Sequence, residues 1–268
     1  MCEGVSHGEY LLRCSWTFCV NCTSSSFPCS LDFPLDTSLS VFQLTSHPQT
    51  ATKSNITHSI LFDTGPEGDI WARNAKRLGI DLAAIEGLQL SHWHRDHSGG
   101  MIKAIEMISD AKRNSAFPSA SPAKPLLVDL HPNRPAFRGF MVASDIVSYQ
   151  ADPTFSALSD AGGEISTSRD AHTILDDMFV VSGEIPRRTA YETGLQGGVR
   201  FESERGVWEG DEQILDERFL MCRVQGKGIV LFTGCSHGGV INASRHAVEL
   251  AGGEVPLYAV LGGFHLVG

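Results

Sequence analysis

Within the stretch Leu88 to Gly100, LQLSHWHRDHSGG, three histidines and an aspartate, His92, His94, Asp96 and His97, fall inside six positions. In extended chain, residues two apart point the same way, so His92 and His94 can hold one cation together. If the chain then turns into a helix near Ser98, Asp96 and His97 are redirected toward a second position close by. Imidazole with carboxylate suits Zn, Mn or Fe rather than Ca or Mg. Two such ions about 3.5 to 4 Å apart can clamp a substrate oxygen and make a bound water nucleophilic near neutral pH. Asp96 is the candidate catalytic group, placed to orient that water or take its proton.

Two metal positions need ligands from elsewhere in the chain. His237 in TGCSHGG and His265 in LGGFHL both stand in glycine-rich segments just after apolar runs, where α/β folds usually present ligands. That recurrence weighs against accidental clustering among the 11 histidines.

The elements that must carry these residues are partly legible. SILFDTG reads as a buried strand ending at Asp63, and PEGDIWARNAKRLGI as a helix closed by Gly79. Gly87 to Leu90 is a short strand delivering the cluster, and GGMIKAIEMISDAKRN a helix behind it. LLVDLHP is a strand ending at His131. Residues 133–173 are ambiguous. MFVVSGEIPRRT is a strand running into a polar loop, and two further strands meet at Gly226-Lys227-Gly228. NASRHAVELAG is a helix with Asn242 as its cap, and PLYAVLGGFHL a last strand. This alternation gives an α/β class with helices packed over sheets. Residues 1–57, rich in Ser, Thr and Pro, read as an irregular segment with one possible strand at Leu39 to Leu44. Residues 58–268 make up the folded domain.

A net charge of −10 argues against a broad phosphate-binding surface, and so against nucleic acid as a partner. No apolar run reaches the length of a membrane span, and no export signal is legible, so a cytoplasmic protein without a membrane partner is expected. Five of the seven cysteines lie in the first 29 residues. They are open to reading as a zinc knot, as disulfides or as plain thiols.

HWHRDHSGG resembles the signature of the metallo-β-lactamase superfamily. ILFDTGPEGDIWARNAKRLGID, VSGEIPRRTAYE, LFTGCSHGGVIN and LGGFHLVG, in that order around it, resemble the branch named for the dihydropterin ribofuranosyl-aminobenzene phosphate synthases. The resemblance implies an αββα sandwich. It implies one metal position held by His92, His94 and His237 and a second held by Asp96, His97 and His265, with zinc the foremost candidate for both. Cys235 stands where the superfamily commonly places a bridging aspartate, and is open to ligation or to simple burial. Asp63 is expected to support the site from behind, by fixing a histidine or a loop. His131 is open to substrate binding or to the surface. Arg187 and Arg188 stand where many members carry a further metal histidine, and their guanidinium groups suit a phosphate or carboxylate.

The family pattern continues beyond LGGFHL, so a sandwich incomplete at its C-terminal edge is expected. The activity implied is that of a dinuclear metal-dependent hydrolase on a small anionic substrate. Group transfer of the synthase type, or an inactive metal-binding member, are the alternatives. The oligomeric state stays open.

Overall fold

A computed structural model describes residues 10–13, 48–53, 55–115 and 124–265. The cysteines of the first 29 residues and the candidate strand at Leu39 to Leu44 lie outside the described residues. In chain order, β1 (Tyr10–Arg13), β2 (Pro48–Lys53) and β3 (Ile56–Phe62) lead into α1 (Gly68–Arg77) and β4 (Ile85–Gln89). A single-turn α2 (Arg95–Ser98) and the long α3 (Met101–Ser115) precede β5 (Leu126–Leu130), the hairpin β6 (Phe137–Val142) and β7 (Asp145–Ser148), and α4 (Phe155–Asp160). Next come β8 (Gly163–Thr167), β9 (His172–Ile174) and β10 (Phe179–Val181), then the hairpin β11 (Gly198–Glu202) and β12 (Val207–Gly210). The chain finishes with β13 (Leu220–Val224), β14 (Gly228–Thr233), α5 (Val240–Leu250) and β15 (Leu257–Gly262).

Three sheets result, in the orders β1-β2-β3-β4-β5-β8, β15-β14-β13-β10-β9 and β12-β11-β6-β7. In the first, β3, β4, β5 and β8 run parallel, and their crossovers carry the helices. In the second, β14 and β15 are parallel and joined by α5. Strand alternation explains the layering, because successive side chains leave opposite faces. In β3, Leu61 packs with Trp71 of α1 and Ile105 of α3, while Ile60 and Phe62 face the other sheet. In β13 and β14, Leu220, Cys222, Val230 and Phe232 meet them there, while Met221, Ile229 and Leu231 turn outward onto Ala243 and Ala247 of α5. Two sheets covered on both faces produce the long apolar runs seen in these strands. The architecture is an αββα sandwich, as expected, with β15 the outer strand of its sheet.

The irregular reading of residues 1–57 is corrected for its last part. PQTATK has no apolar stripe, yet β2 pairs with β3 from Pro48 opposite Leu61 to Lys53 opposite Ile56, so the ladder begins before residue 58. Cross-strand hydroxyl pairs, Thr50 with Ser59 and Thr52 with Thr57, both at 2.9 Å, supply what hydrophobic pattern does not. The ambiguous stretch 133–173 resolves into β6, β7, α4, β8 and the start of β9. The hairpin β11–β12, unforeseen, completes the third sheet against β6. Asn242 is not a helix cap. Gly239, with φ 91, holds that position, and Asn242 is buried inside the first turn of α5. Among the described residues no helix is long and apolar enough to cross a membrane.

Candidate metal centre

The cluster sits where β4 ends, beside the loops that leave β3, β14 and β15. Past Leu90 the chain bends through Ser91, His92 and Trp93, with His94 N–H donating to the His92 carbonyl at 3.0 Å, before His94, extended at φ −123° and ψ 139°, leads into α2. This tight turn brings His92 and His94 together, with Nε2 of one 2.9 Å from Nδ1 of the other. The turn of α2 then brings His97 back, and its ring centroid lies 4.4 Å from that of His92. This return needs the two glycines of HSGG. A Cβ on Gly99 would stand 1.7 Å from the Pro66 carbonyl oxygen, and one on Gly100 2.4 Å from that of Thr64. Only glycines let α2 and α3 dock so closely on the DTGP loop.

Asp63, wholly buried at the end of β3 with φ 59°, organises both histidines. Its Oδ1 accepts the Ser91 N–H at 2.7 Å, and its Oδ2 accepts the Ser91 hydroxyl at 2.8 Å. The same Oδ2 lies 2.6 Å from His97 Nδ1. With its proton committed to Asp63, Ser91 Oγ can only accept from His92 Nδ1, at 2.9 Å. One carboxylate thus fixes the Nδ1–H orientation of both rings, directly for His97 and through Ser91 for His92, and turns each Nε2 into the cluster. Asp63→Asn should weaken metal binding about 10- to 100-fold with the fold retained, measured by competition with a chelating dye.

His237 comes from the loop after β14, reached through Ser236 in the left-handed region at φ 62°. Ser236 donates to the Gly263 carbonyl at 2.9 Å, and His265 N–H donates to the Cys235 carbonyl at 2.8 Å, so the loops after β14 and β15 are stitched together. Buried Glu217 accepts the N–H groups of both His237, at 2.9 Å, and Gly238. Burial pushes the Glu217 carboxyl up, against the lowering pull of those donors and of Arg187. The His237 ring lies 5.0 Å, centroid to centroid, from those of His92, His94 and His265.

Two groups of donor atoms emerge, each lying within 4.8 Å of one another: His92, His94 and His237, and His92, His97 and Cys235. Both nitrogens of His237 are buried without a hydrogen-bond partner among the described residues. Such an orphaned buried imidazole is costly unless a ligand completes it. Burial, and after it the neighbouring His265, push His237 down to about 3. Burial, with neighbouring His97 for the first and Arg138 for the second, also holds His92 and His94 well below the usual histidine range. Three neutral imidazoles converging in a buried site fit a borderline-soft cation such as zinc, and imidazole with a thiol fits it equally. For His97, burial is outweighed by Asp63, Cys235 and Asp96, which raise its pKa well above the usual value. Burial raises the Cys235 thiol, whose Sγ is 3.0 Å from His97 Nε2.

The second group differs from the expected one. Cys235 joins His97, with His92 shared between the groups. The Asp96 carboxylate is about half exposed, 3.4 Å from His97 Nε2, and exposed His265 stands beside His237. Asp96 and His265 therefore border the opening rather than the buried interior.

The remaining candidates are placed elsewhere. His131 is buried rather than at a site mouth: its Nδ1 accepts from Asn133 N–H at 3.1 Å and its Nε2 faces Glu184 at 3.5 Å. Arg187 donates to the carbonyls of Ile185, Gln213 and Ile214, and Arg188 pairs with Glu249 on the flank of α5. Arg187 is thus held mainly by backbone carbonyls, and Arg188 makes a half-exposed surface pair rather than joining the histidine cluster.

Sequence reasoning missed the run Asp216-Glu217-Arg218, at most 1% exposed throughout. Asp216 accepts the Trp93 N–H between the two metal histidines, and Arg218 pairs with Asp129 beneath β4. Three adjacent charges directly before the apolar β13 were the available signal, since charges are rarely fully buried unless paired.

No protein-family model matches the chain. It is 26% identical over 228 residues to the 7,8-dihydropterin-6-methyl-4-(β-D-ribofuranosyl)-aminobenzene-5'-phosphate synthase of Methanocaldococcus jannaschii, covering 80% of this chain and 67% of that one. It is 30% identical over 209 residues to an uncharacterized protein of the same archaeon, covering 78% and 68%. Among solved structures it is similar to a metal-dependent hydrolase of the β-lactamase superfamily, with a TM-score of 0.54 and 24% identity over 82% of this chain and 70% of that one. With the αββα layering and the buried histidine cluster, the likeness to that structure shows that the chain has the metallo-β-lactamase fold.

Proposed function

We propose that the protein is a dinuclear metal-dependent hydrolase acting on a small substrate that bears a phosphate or carboxylate. The observation carrying this reading is the pair of donor groups that share His92, at a strand end and open on one side. His94 and His237 would hold one ion and His97 and Cys235 the other, with the one free nitrogen of His92 completing one of the two. When bound, the ions supply Lewis acidity, lower the pKa of water and give the charge that attracts an anionic group. That charge takes over the role first assigned to Arg187 and Arg188. Asp63 holds the rings of His92 and His97 in the metal-binding tautomer. Glu217 fixes the backbone of the His237 loop. Asp96, at the opening, is the group in position to accept a proton from water as it attacks.

A second reading, group transfer, is favoured by the synthase name of the relative in M. jannaschii. Isotope incorporation separates the two. Phosphate and carboxylate esters turned over in H2 18O should yield one labelled oxygen per cleavage if water is the nucleophile, and none if a second substrate is. Chelation should abolish turnover and restored zinc or manganese recover it. Turnover indifferent to chelator would overturn both readings.

A further inference from the structure

Beside His237 and His265 lies a cleft of about 270 Å³, which Tyr191, Glu192, Ile241 and Phe264 also line. Its volume falls below the ~300–1,000 Å³ that encloses a whole drug-sized ligand, so it suits one part of a substrate. Its walls are unusually apolar for exposed positions. Tyr191 is 70% exposed, Phe264 45% and Ile241 39%. Large apolar side chains gathered around a concavity mark a contact surface rather than scatter.

These walls are held in place. The Glu192 carboxylate accepts the N–H groups of Ile241 at 2.7 Å and Asn242 at 2.9 Å, and the Thr189 hydroxyl at 2.7 Å. The loop bearing Tyr191 is thereby clamped to the start of α5, and Asn242 reinforces it by accepting from Arg188 and Thr189 N–H. Phe264 lies between two backbone hydrogen bonds, Gly263 N–H to Gly234 and His265 N–H to Cys235. The backbone bearing both aromatic groups is thus held, which lowers the part of the entropy cost of binding that comes from ordering the loops.

The charge of the cleft decides what fits it. Free N–H groups at the start of a helix attract anions. Here Glu192 already occupies those of Ile241 and Asn242, and its negative charge opposes a second anion. The nearest guanidinium groups, Arg187 and Arg188, are committed to backbone carbonyls and to Glu249. An anionic substrate group is therefore directed to the metal side and away from this cleft.

We propose that Tyr191 and Phe264 form a subsite for a flat, uncharged ring of the substrate, which sets specificity beside His237 and His265. This deepens the hydrolase reading by assigning the two ends of the substrate to different places, and rests on it only for the word substrate. Aromatic stacking adds attraction beyond area burial and favours flat partners.

Saturation-transfer NMR titrations with benzamide, cyclohexanecarboxamide and benzoate compare a flat neutral probe with a puckered one and a flat anion. They are run on the full chain as purified and after chelation, with Tyr191→Leu and Phe264→Leu beside the wild type. Both side chains are exposed enough for leucine to be accommodated. After chelation, benzamide should bind more tightly than either other probe, and each variant should weaken it about three- to tenfold. Equal benzamide affinity in wild type and variants would overturn the proposal, as would benzoate binding as well as benzamide after chelation. Ring selectivity that survives alongside failed metal binding would sink the hydrolase reading and keep the subsite. Intact metal binding without ring selectivity would do the reverse.

Discussion

His92→Ala should empty one metal position and weaken the other, whereas His237→Ala or Cys235→Ser should each empty one and leave the other intact. His92 belongs to both donor groups but offers one ligand atom, so it completes one ion at a time. Its Nδ1 is anchored through Ser91 to Asp63, which leaves Nε2 as that atom, and its ring packs against those of His94, His97 and His237. Inductively coupled plasma mass spectrometry on purified protein should read close to two ions in the wild type and one in each variant, with the ion left in His92→Ala removed at a lower chelator concentration. Turnover of His92→Ala should fall beyond the ~10- to 100-fold typical of losing an outer partner of a ligand. The variant should still fold, because the removed ring packs against other site rings rather than the sandwich core. Loss of all metal in each of the three variants would instead mean a single ion held by the whole cluster.

The second large effect lies beneath the site. Arg138, 2% exposed on β6, donates to Asp211 at 2.8 Å, to Asp216 and to the Trp93 carbonyl at 2.9 Å, while Asp216 accepts the Trp93 N–H at 2.8 Å. Trp93, between His92 and His94, is thus gripped at both backbone ends. Burial disfavours the Arg138 charge, but Asp216 and Asp211 more than compensate and hold it firmly protonated. Against the upward push of burial, Arg138 holds Asp216 below the usual carboxylate value.

Arg138→Met leaves Asp216 buried without its cation, at a cost of about 3–5 kcal/mol. At roughly 2–4 °C per kcal/mol for a chain of this size, Tm should drop by about 6–20 °C. Since the folded pKa of Asp216 is depressed, the pair's contribution is present above the ordinary aspartate value of 3.8 and fades as pH falls through the folded one. The deficit should therefore be full at pH 7 and shrink in strong acid, read from urea midpoints. Arg138→Met with Asp216→Leu should recover part of the loss, because the fully buried Asp216 charge is gone and only Asp211 is left without its cation. Recovery of stability without recovery of metal affinity would assign the grip on Trp93 to the site and the ion pair to the fold.

The sequence by itself determined the α/β class, the αββα layering implied by family resemblance, and the residues of one donor group. These were legible because ligands close in sequence stay close in space: two residues apart, His92 and His94 meet, although through a tight turn rather than the extended chain expected, and HSGG forces the return that places His97. The strand-end positions of His237 and Asp63 were legible for a similar reason, since each follows an uninterrupted apolar run and stands beside a glycine, Gly234 before His237 and Gly65 after Asp63. Only the tertiary structure decided what depends on packing between distant segments. Strand β2 forms because β3 offers a partner, not because PQTATK has a pattern. Cys235 enters the second group, and Asp96 and His265 stand at its rim, because the loops after β14 and β15 are tied by hydrogen bonds that no spacing records. Arg187, Arg188 and His131 are chemically apt for an anion, yet backbone carbonyls claim Arg187, Glu249 pairs with Arg188, and His131 is buried. A side chain's chemical type is written in the sequence, but which partner satisfies it in the folded interior is fixed by who else is buried there.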